Sequence, residues 1–334
     1  MRALSIGDLA ASFSSRLANR TMKDQIERLS TEMTTGRRDA DSVLRSGDVG
    51  PMAGLDRSLS VLGAYTITTK ETAMLVGVAQ GALGAVSDRA SDLSTLLLTA
   101  AAGGDPAYLG AVSEEAAQRF DSMVGALNTT IAGQSVFAGA ATDTTPLADS
   151  GAILTALMAD VGGAPTAGDL NDAVDAWFAP GGGFDTAAYL GADIARAPVS
   201  VSDSERVEFG IRADNADLRQ VLADTAKAAL LDRGALAGSQ VARVSLMNIA
   251  GEALLNSGNA VTRLRGELGV TEHRLEQVTT RQNAEKTALQ MARNDLVGVD
   301  PYDAATKLQD VQVQLETLYT VTARMSKLSL ANYL

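Results

Sequence analysis

The chain has 334 residues, 46% of them hydrophobic but only 4% aromatic, so it carries enough apolar mass for two or three domains, and that mass is Ala, Leu and Val, which suits long helices. Its formal charge of −12 argues against a nucleic-acid partner, because phosphate binding needs clustered Lys and Arg. The absence of cysteine excludes disulfides, thiol chemistry and Cys-ligated zinc.

The first 20 residues are amphipathic, with Arg and Ser and the single acid Asp8, a composition also found in transit peptides. They hold no continuous apolar run and no cleavage motif, so they do not read as a Sec-type signal. Export, if it occurs, is expected by a route that reads no cleavable signal. Ile6, Leu9, Phe13 and Leu17 then step by three, four and four, and after a slip Met22, Ile26, Leu29 and Met33 step by four, three and four. This spacing predicts a helix that stops at Gly36. A charged link follows, broken by Gly47, Gly50 and Pro51.

A second helix is expected over about residues 52–102, with Leu55, Leu59, Leu62, Thr69, Ala73, Val76, Leu83, Val86, Leu93 and Leu97 near one seam. Gly77, Gly81 and Gly84 on it predict close helix approach at small residues. The uncharged run 72–87 is too short and too glycine-rich to cross a bilayer, so no membrane insertion is expected. Gly103, Gly104, Asp105 and Pro106 end this helix and start another, carrying Tyr108, Val112, Ala116, Phe120, Met123, Leu127 and Ile131. Two helices joined by such a turn read as an antiparallel αα-hairpin.

Composition changes at residue 140. Between 140 and 204 lie four of the seven prolines and the only Trp, Trp177. The acids there are all Asp, and the one basic residue is Arg196. This predicts an acidic, loop-rich insertion with short strands, ending in an alternating Val199, Val201, Val207, Phe209 and Ile211. Helical pattern returns at Asn215, with Leu218, Val221, Leu222, Leu230 and Leu231, and is expected to continue past Gly238. From Leu264 the steps become coiled-coil-like, through Leu268, Thr271, Leu275, Val278, Gln282, Glu285, Leu289, Ala292 and Leu296. The polar members weaken that seam and fix its register. After Pro301 the pattern resumes at Ala304, Leu308, Val311, Leu315, Leu318, Thr322 and Met325, and the sequence closes on Leu328, Leu330, Tyr333 and Leu334.

A long helix with one apolar stripe is marginal alone. The C-terminal stripe therefore needs the N-terminal one, and the chain is expected to fold back on itself. The expected fold is mainly α: long coiled-coil-like helices from both chain ends form a rod, with an inserted small β-containing domain. The expected domains are terminal helices at 1–48 and 297–334, a helical bundle at 49–139 and 213–296, and the insertion at 140–212. The expected assembly interface is Ile26, Leu29, Met33, Leu308, Val311, Leu315, Leu318, Met325, Leu328, Leu330, Tyr333 and Leu334.

Chemistry is sparse. The one histidine, His273, takes an outward heptad position and reads as a solvated side chain. Gly181, Gly182 and Gly183 precede Phe184 instead of Lys, so they read as a flexible loop, not a phosphate loop. Asp169, Asp172 and Asp175 step by three and read as charge near a helix N-terminus. Asn128-Thr129-Thr130 matches a glycosylation acceptor within a helical pattern. An enzyme carried in the insertion would need an active-site cluster, and residues 140–204 offer Asp but no His and no Lys. No catalytic residue, metal or cofactor is expected.

Three stretches resemble one family. QIERLSTEMTTGRR, residues 25–38, resembles a signature shared by flagellins and flagellar hook-associated proteins. YTVTARMSKLSLANYL, residues 319–334, is similar to an ending found in the hook-associated members of that family. GQSVFAGAATDTTP, residues 133–146, resembles its passage into the outer domain. RSGDVGP at 45–51 departs from the Pro-Ser-Asp-Asp-Pro motif usual there. The resemblance implies a non-catalytic structural protein of the bacterial flagellum, exported unfolded by the flagellar type III apparatus and transiently cytoplasmic beforehand. It implies a place at the junction between hook and filament, with a flagellin-type filament subunit as the alternative. The partners it implies are the proximal hook-associated junction protein, flagellin, further copies of itself in a ring-like layer, and a cytoplasmic export chaperone on the C-terminal helix.

Overall fold

The computed structural model describes residues 6–38, 49–161 and 163–331. The protein is mainly α, with two small antiparallel hairpins. In chain order the elements are α1 (Ile6–Thr35), α2 (Val49–Gly103), α3 (Pro106–Leu127), β1 (Thr130–Ile131), β2 (Gln134–Ser135), α4 (Ser150–Val161), α5 (Ala167–Phe178), a π-helical turn (Phe184–Ala188), β3 (Val199–Ser200), β4 (Arg206–Val207), α6 (Ala216–Asp232), α7 (Gln240–Val297) and α8 (Pro301–Ala331). Two compact units result: Ala64–Gln282, and Met1–Gly63 with Asn283–Leu334.

Within Ala64–Gln282, the α2–α3 hairpin forms at the expected turn. Gly104 takes a left-handed φ of 61°. Asp105 caps α3 by accepting from the Tyr108 N–H at 3.1 Å, and Pro106 occupies the first turn. The α2 seam is dry at Val76, Leu83, Val86, Leu93 and Leu97. Hydrogen bonds fix its register on α7: Gln80 Nε2 donates to the Arg265 carbonyl at 2.8 Å, Ser87 and Thr262 share a hydroxyl bond at 3.0 Å, and Ser94 donates to the Gly251 carbonyl at 2.6 Å. The Gln282 amide closes the series, donating to Thr69 Oγ1 and to the Val201 carbonyl, both at 2.9 Å. On α7 the coiled-coil pattern buries Leu264, Leu268, Leu275, Val278 and Gln282.

The close helix approach lies elsewhere than expected. Gly77 and Gly81 face outward with nothing within 4 Å of a Cβ, and Gly84 faces only the flexible Arg265 side chain. The small residue α2 requires is Gly251 on α7, where a Cβ would meet Leu98 at 2.9 Å.

Helix α6 is the centre of this unit. Residues 221–231 are buried on every face, the signature of an interior helix, with α3, α4 and α5 packed around it. It does not run on past Gly238. Gly234 (φ 94°) and Leu236 (φ 54°) turn the chain left-handed, and α7 starts afresh at Gln240.

The insertion is more helical than its composition suggests, holding α4, α5 and the π-helical turn. Its Gly-rich run is no loose loop. A Cβ on Gly183 would collide with the Trp177 indole, one on Gly182 would collide with the Trp177 carbonyl, and the Gly181 N–H donates to Asp185 Oδ2 at 2.6 Å. The run folds tightly over the Trp177, Phe178 and Phe184 cluster. Helix α3 also stops before Ile131. The Asn128 side chain clamps Leu147 through both its amide atoms (2.8 and 3.0 Å), and Ala132 and Gly133, both at positive φ, make the two-residue turn of β1–β2.

In the other unit, α1 pairs with α8 as the end stripes predicted. Gly36 (φ 66°) closes α1, its N–H bonding to the Glu32 carbonyl at 2.8 Å. Asp300 caps α8 by accepting from the Tyr302 N–H at 2.9 Å, with Pro301 next in the chain. A short bridge joins the two ends: the Arg38 N–H bonds to the Val297 carbonyl (2.8 Å), and the Val299 N–H to the Gly36 carbonyl (3.0 Å).

Candidate assembly surface

Residues suited to chemistry do not converge. Among the described residues no His, Asp and Glu group could hold a metal ion. His273 is exposed and bonds to Gln277. Asp169 completes a cap, its N–H donating to Thr166 Oγ1. Asp175 has a different role from the one its spacing suggested: it pairs with the buried Lys227 at 2.7 Å. Lys227 also meets Asp224 at 2.9 Å, and the Gln220 amide donates to that same Asp224 oxygen at 3.0 Å. Arg219 binds Asp185 while lying 4.7 Å from the Phe184 ring centre. These groups hold α5, α6 and the π-helical turn together, although Asp224 Oδ2 is buried without a hydrogen-bond partner, and Asp175, Arg219 and Gln220 line a shallow recess of about 430 Å³.

Apolar side chains stand open on α1 and α8. At the bridge between α1 and α8 the packing is dry, with Leu29, Val297 and Ala304 buried. Farther along the pair it is not. Ile26, Leu308, Val311, Leu315 and Leu318 are only half-buried. A pair of helices can cover one narrow stripe on each. The α1 face that is partly covered runs through Ser15, Ala18, Met22, Ile26 and Leu29, and Ser15 reaches the Thr322 hydroxyl at 3.4 Å.

The slip in the α1 pattern has a structural outcome. Phe13 and Leu17, which read as the start of the internal seam, are 66% and 56% exposed. Met33 is 41% exposed, while its neighbour Glu32 is buried in its place. On α8 the residues Val313, Tyr319 and Val321, outside the heptad stripe, are also exposed. Sequence periodicity placed Phe13 and Leu17 on the inner seam and passed over Val313, Tyr319 and Val321, which lie off the heptad spacing. The signal available was the density of large apolar residues on a helix whose one stripe was already assigned. Met325, Leu328 and Leu330 lie on the α8 helix, but their side chains fall outside the described residues, as do Tyr333 and Leu334 altogether.

Among the described residues no helix is long and apolar enough to cross a membrane. The exposed apolar faces of α1 and α8 are of the kind that other protein surfaces cover.

Residues 247–334 match the family described as the bacterial flagellin C-terminal helical region. No curated protein matches the chain. Among solved structures, Bacillus cereus FlgL resembles it at TM-score 0.52 and 14% identity, over 72% of this chain and 98% of that one. A flagellar hook-associated protein structure from Vibrio parahaemolyticus aligns at TM-score 0.48 and 15% identity, over 73% of this chain and 95% of that one. At such identity the FlgL likeness is one of fold.

Proposed function

We propose that this chain is a structural component of the bacterial flagellum, the distal junction between hook and filament known as hook-associated protein 3, and that it assembles through its N- and C-terminal helices. The observation that carries the proposal is the α1–α8 pair. It leaves Phe13, Leu17, Val313, Tyr319 and Val321 exposed, in a region whose C-terminal half matches the flagellin C-terminal helical family. The ending at residues 319–334 and the FlgL-like fold favour the hook-associated position.

On this reading residues 1–48 and 297–334 are the inner assembly domain, 49–139 with 213–296 the helical bundle, and 140–212 the outer domain. Its neighbours are the proximal hook-associated protein on one side and flagellin on the other, with copies of itself completing a ring-like layer. Before export through the flagellar type III apparatus, a cytoplasmic chaperone masks the C-terminal helix. Afterwards the protein is extracellular, and it performs no catalysis.

Electron microscopy of a deletion strain tests this. Intact hooks without filaments, with flagellin shed into the medium, are the expected result; a normal count of hooks bearing filaments would overturn it. The flagellin match at residues 247–334 supports a second reading, a filament subunit. In that case the missing chain would be the one that makes up the bulk of sheared filaments.

A further inference from the structure

Arg196 is the one cation between residues 140 and 204, and it lacks the partners its neighbours have. Arg212 is held by Asp214 and Arg219 by Asp185. Arg196 donates from Nη2 to the Ser135 carbonyl at 3.2 Å, its Nε has no acceptor, and it makes no ion pair among the described residues. Burial holds its guanidinium below the ordinary value. A half-buried cation without a carboxylate lowers stability, and an incoming anion would return that energy.

This arginine lines a recess of about 460 Å³ between α2 and the two β hairpins, walled by Thr72, Leu75, Ile131, Val199, Val207 and Phe209. Met74 on its rim and Ile67, two helical turns away on α2, are 59% and 61% exposed. Glu71 also lines the recess and does not pair with Arg196, so a bare anion is poorly received and the occupant must bring an apolar body.

The chain carries such a body. Leu190 and Ile194 are 49% and 73% exposed, and the Asp193 carboxylate between them makes no ion pair among the described residues. The backbone of this corner is fixed. Arg212 Nη1 donates to the Asp193 carbonyl at 2.6 Å, and the Ala140 N–H to the Ile194 carbonyl at 2.9 Å. The side chains are thus presented by a rigid support, which lowers the entropy cost of docking.

We propose that the recess receives the Asp193–Ile194 corner of a second copy, with Ile194 against the apolar wall and the Asp193 carboxylate on Arg196. Copies carrying −12 each repel unless a cation is placed at the contact, and Arg196 is so placed. The corner ends two residues before Arg196 and so borders the recess, and each copy offers the one and accepts the other. The inference rests on the flagellar assembly reading.

The chain has no cysteine, so introduced ones report without background. Two differently tagged copies, one Met74→Cys and one Leu190→Cys, are expressed together, and the sheared flagella are oxidised. The expected product is a disulfide dimer carrying both tags. It should fall about tenfold with Arg196→Glu and return when Asp193→Lys is added. Val241→Cys, exposed on α7, gives the collisional baseline in place of Leu190→Cys. Tagged protein present in the flagella without the mixed dimer, or with a dimer indifferent to Arg196→Glu, would overturn the inference alone. Absence of both tagged copies from the flagella would sink the assembly reading, and the inference with it.

Discussion

At the scale of single residues, the buried polar groups are the costliest to leave without a partner. Lys227 and Asp224 lie within α6 at 1% and 0% exposure, and Asp175 reaches them from α5. Truncating one partner of a buried pair strands the other charge, so Lys227→Ala should cost roughly 3–5 kcal/mol in urea denaturation. Adding Asp224→Leu to Lys227→Met should recover most of the loss; equal instability of both variants would show that packing, not charge, is at stake. Glu205 makes a different case. It accepts from Arg274 at 2.8 Å, and Arg281 binds its other oxygen. The Arg274 bond first, with Arg281 adding, holds the Glu205 carboxyl below its ordinary 4.5. A lowered carboxyl pKa stabilises the fold above the ordinary value, and the contribution fades as pH falls through the lower one. Glu205→Gln should therefore melt earlier than the parent near neutral pH, and the gap should close in acid. A gap of constant size across that range would contradict this.

At the scale of elements, α6 and α8 are opposites. The first is enclosed on every face along residues 221–231, while the second has a half-covered stripe and an open second face. Local opening follows buried contact, so amide exchange should rank them. In the dilute monomer, α6 amides should be the slowest of the chain and those of residues 308–322 should exchange within the fast class. Strong protection across 308–322 at low concentration would mean that the α1–α8 pair is complete by itself, and would remove the main support for an assembly surface. The bridge at Arg37 and Gly298 anchors one end of that pair, so protection should fade away from it.

At the scale of the whole molecule, the two units divide the labour. Ala64–Gln282 carries the continuous core, whereas among the described residues of the other unit the buried apolar side chains are Leu29, Leu62, Val297 and Ala304. A charge placed on the α8 stripe should therefore spare the first and disable the second. Leu315→Asp is expected to keep the cooperative melting of the core unit and to abolish incorporation into flagella, read as loss of motility. Normal motility in that variant would remove the stripe from the assembly surface.

The helical periodicities, the Gly103–Pro106 turn, the return of helical pattern at Asn215 and the pairing of the end helices were legible in the sequence, because each depends on residues a few positions apart or on one repeated spacing. The β1–β2 turn was not, since Ala132-Gly133 lacks the usual Asn-Gly signal while adopting its geometry. Of the helices of the insertion only α5 left a sign, in the Asp169, Asp172 and Asp175 spacing; the prolines and glycines in and around them masked the rest. The tertiary structure alone decided which polar groups meet: Gln282 with Thr69, Glu205 with Arg274 and Arg281, Lys227 with Asp175. Those partners lie far apart in sequence, and local pattern carries no information about them. It also decided which of two apolar faces on α1 and α8 is covered, for a stripe states that something must pack there, and only the folded chain shows how much of it one partner helix can reach.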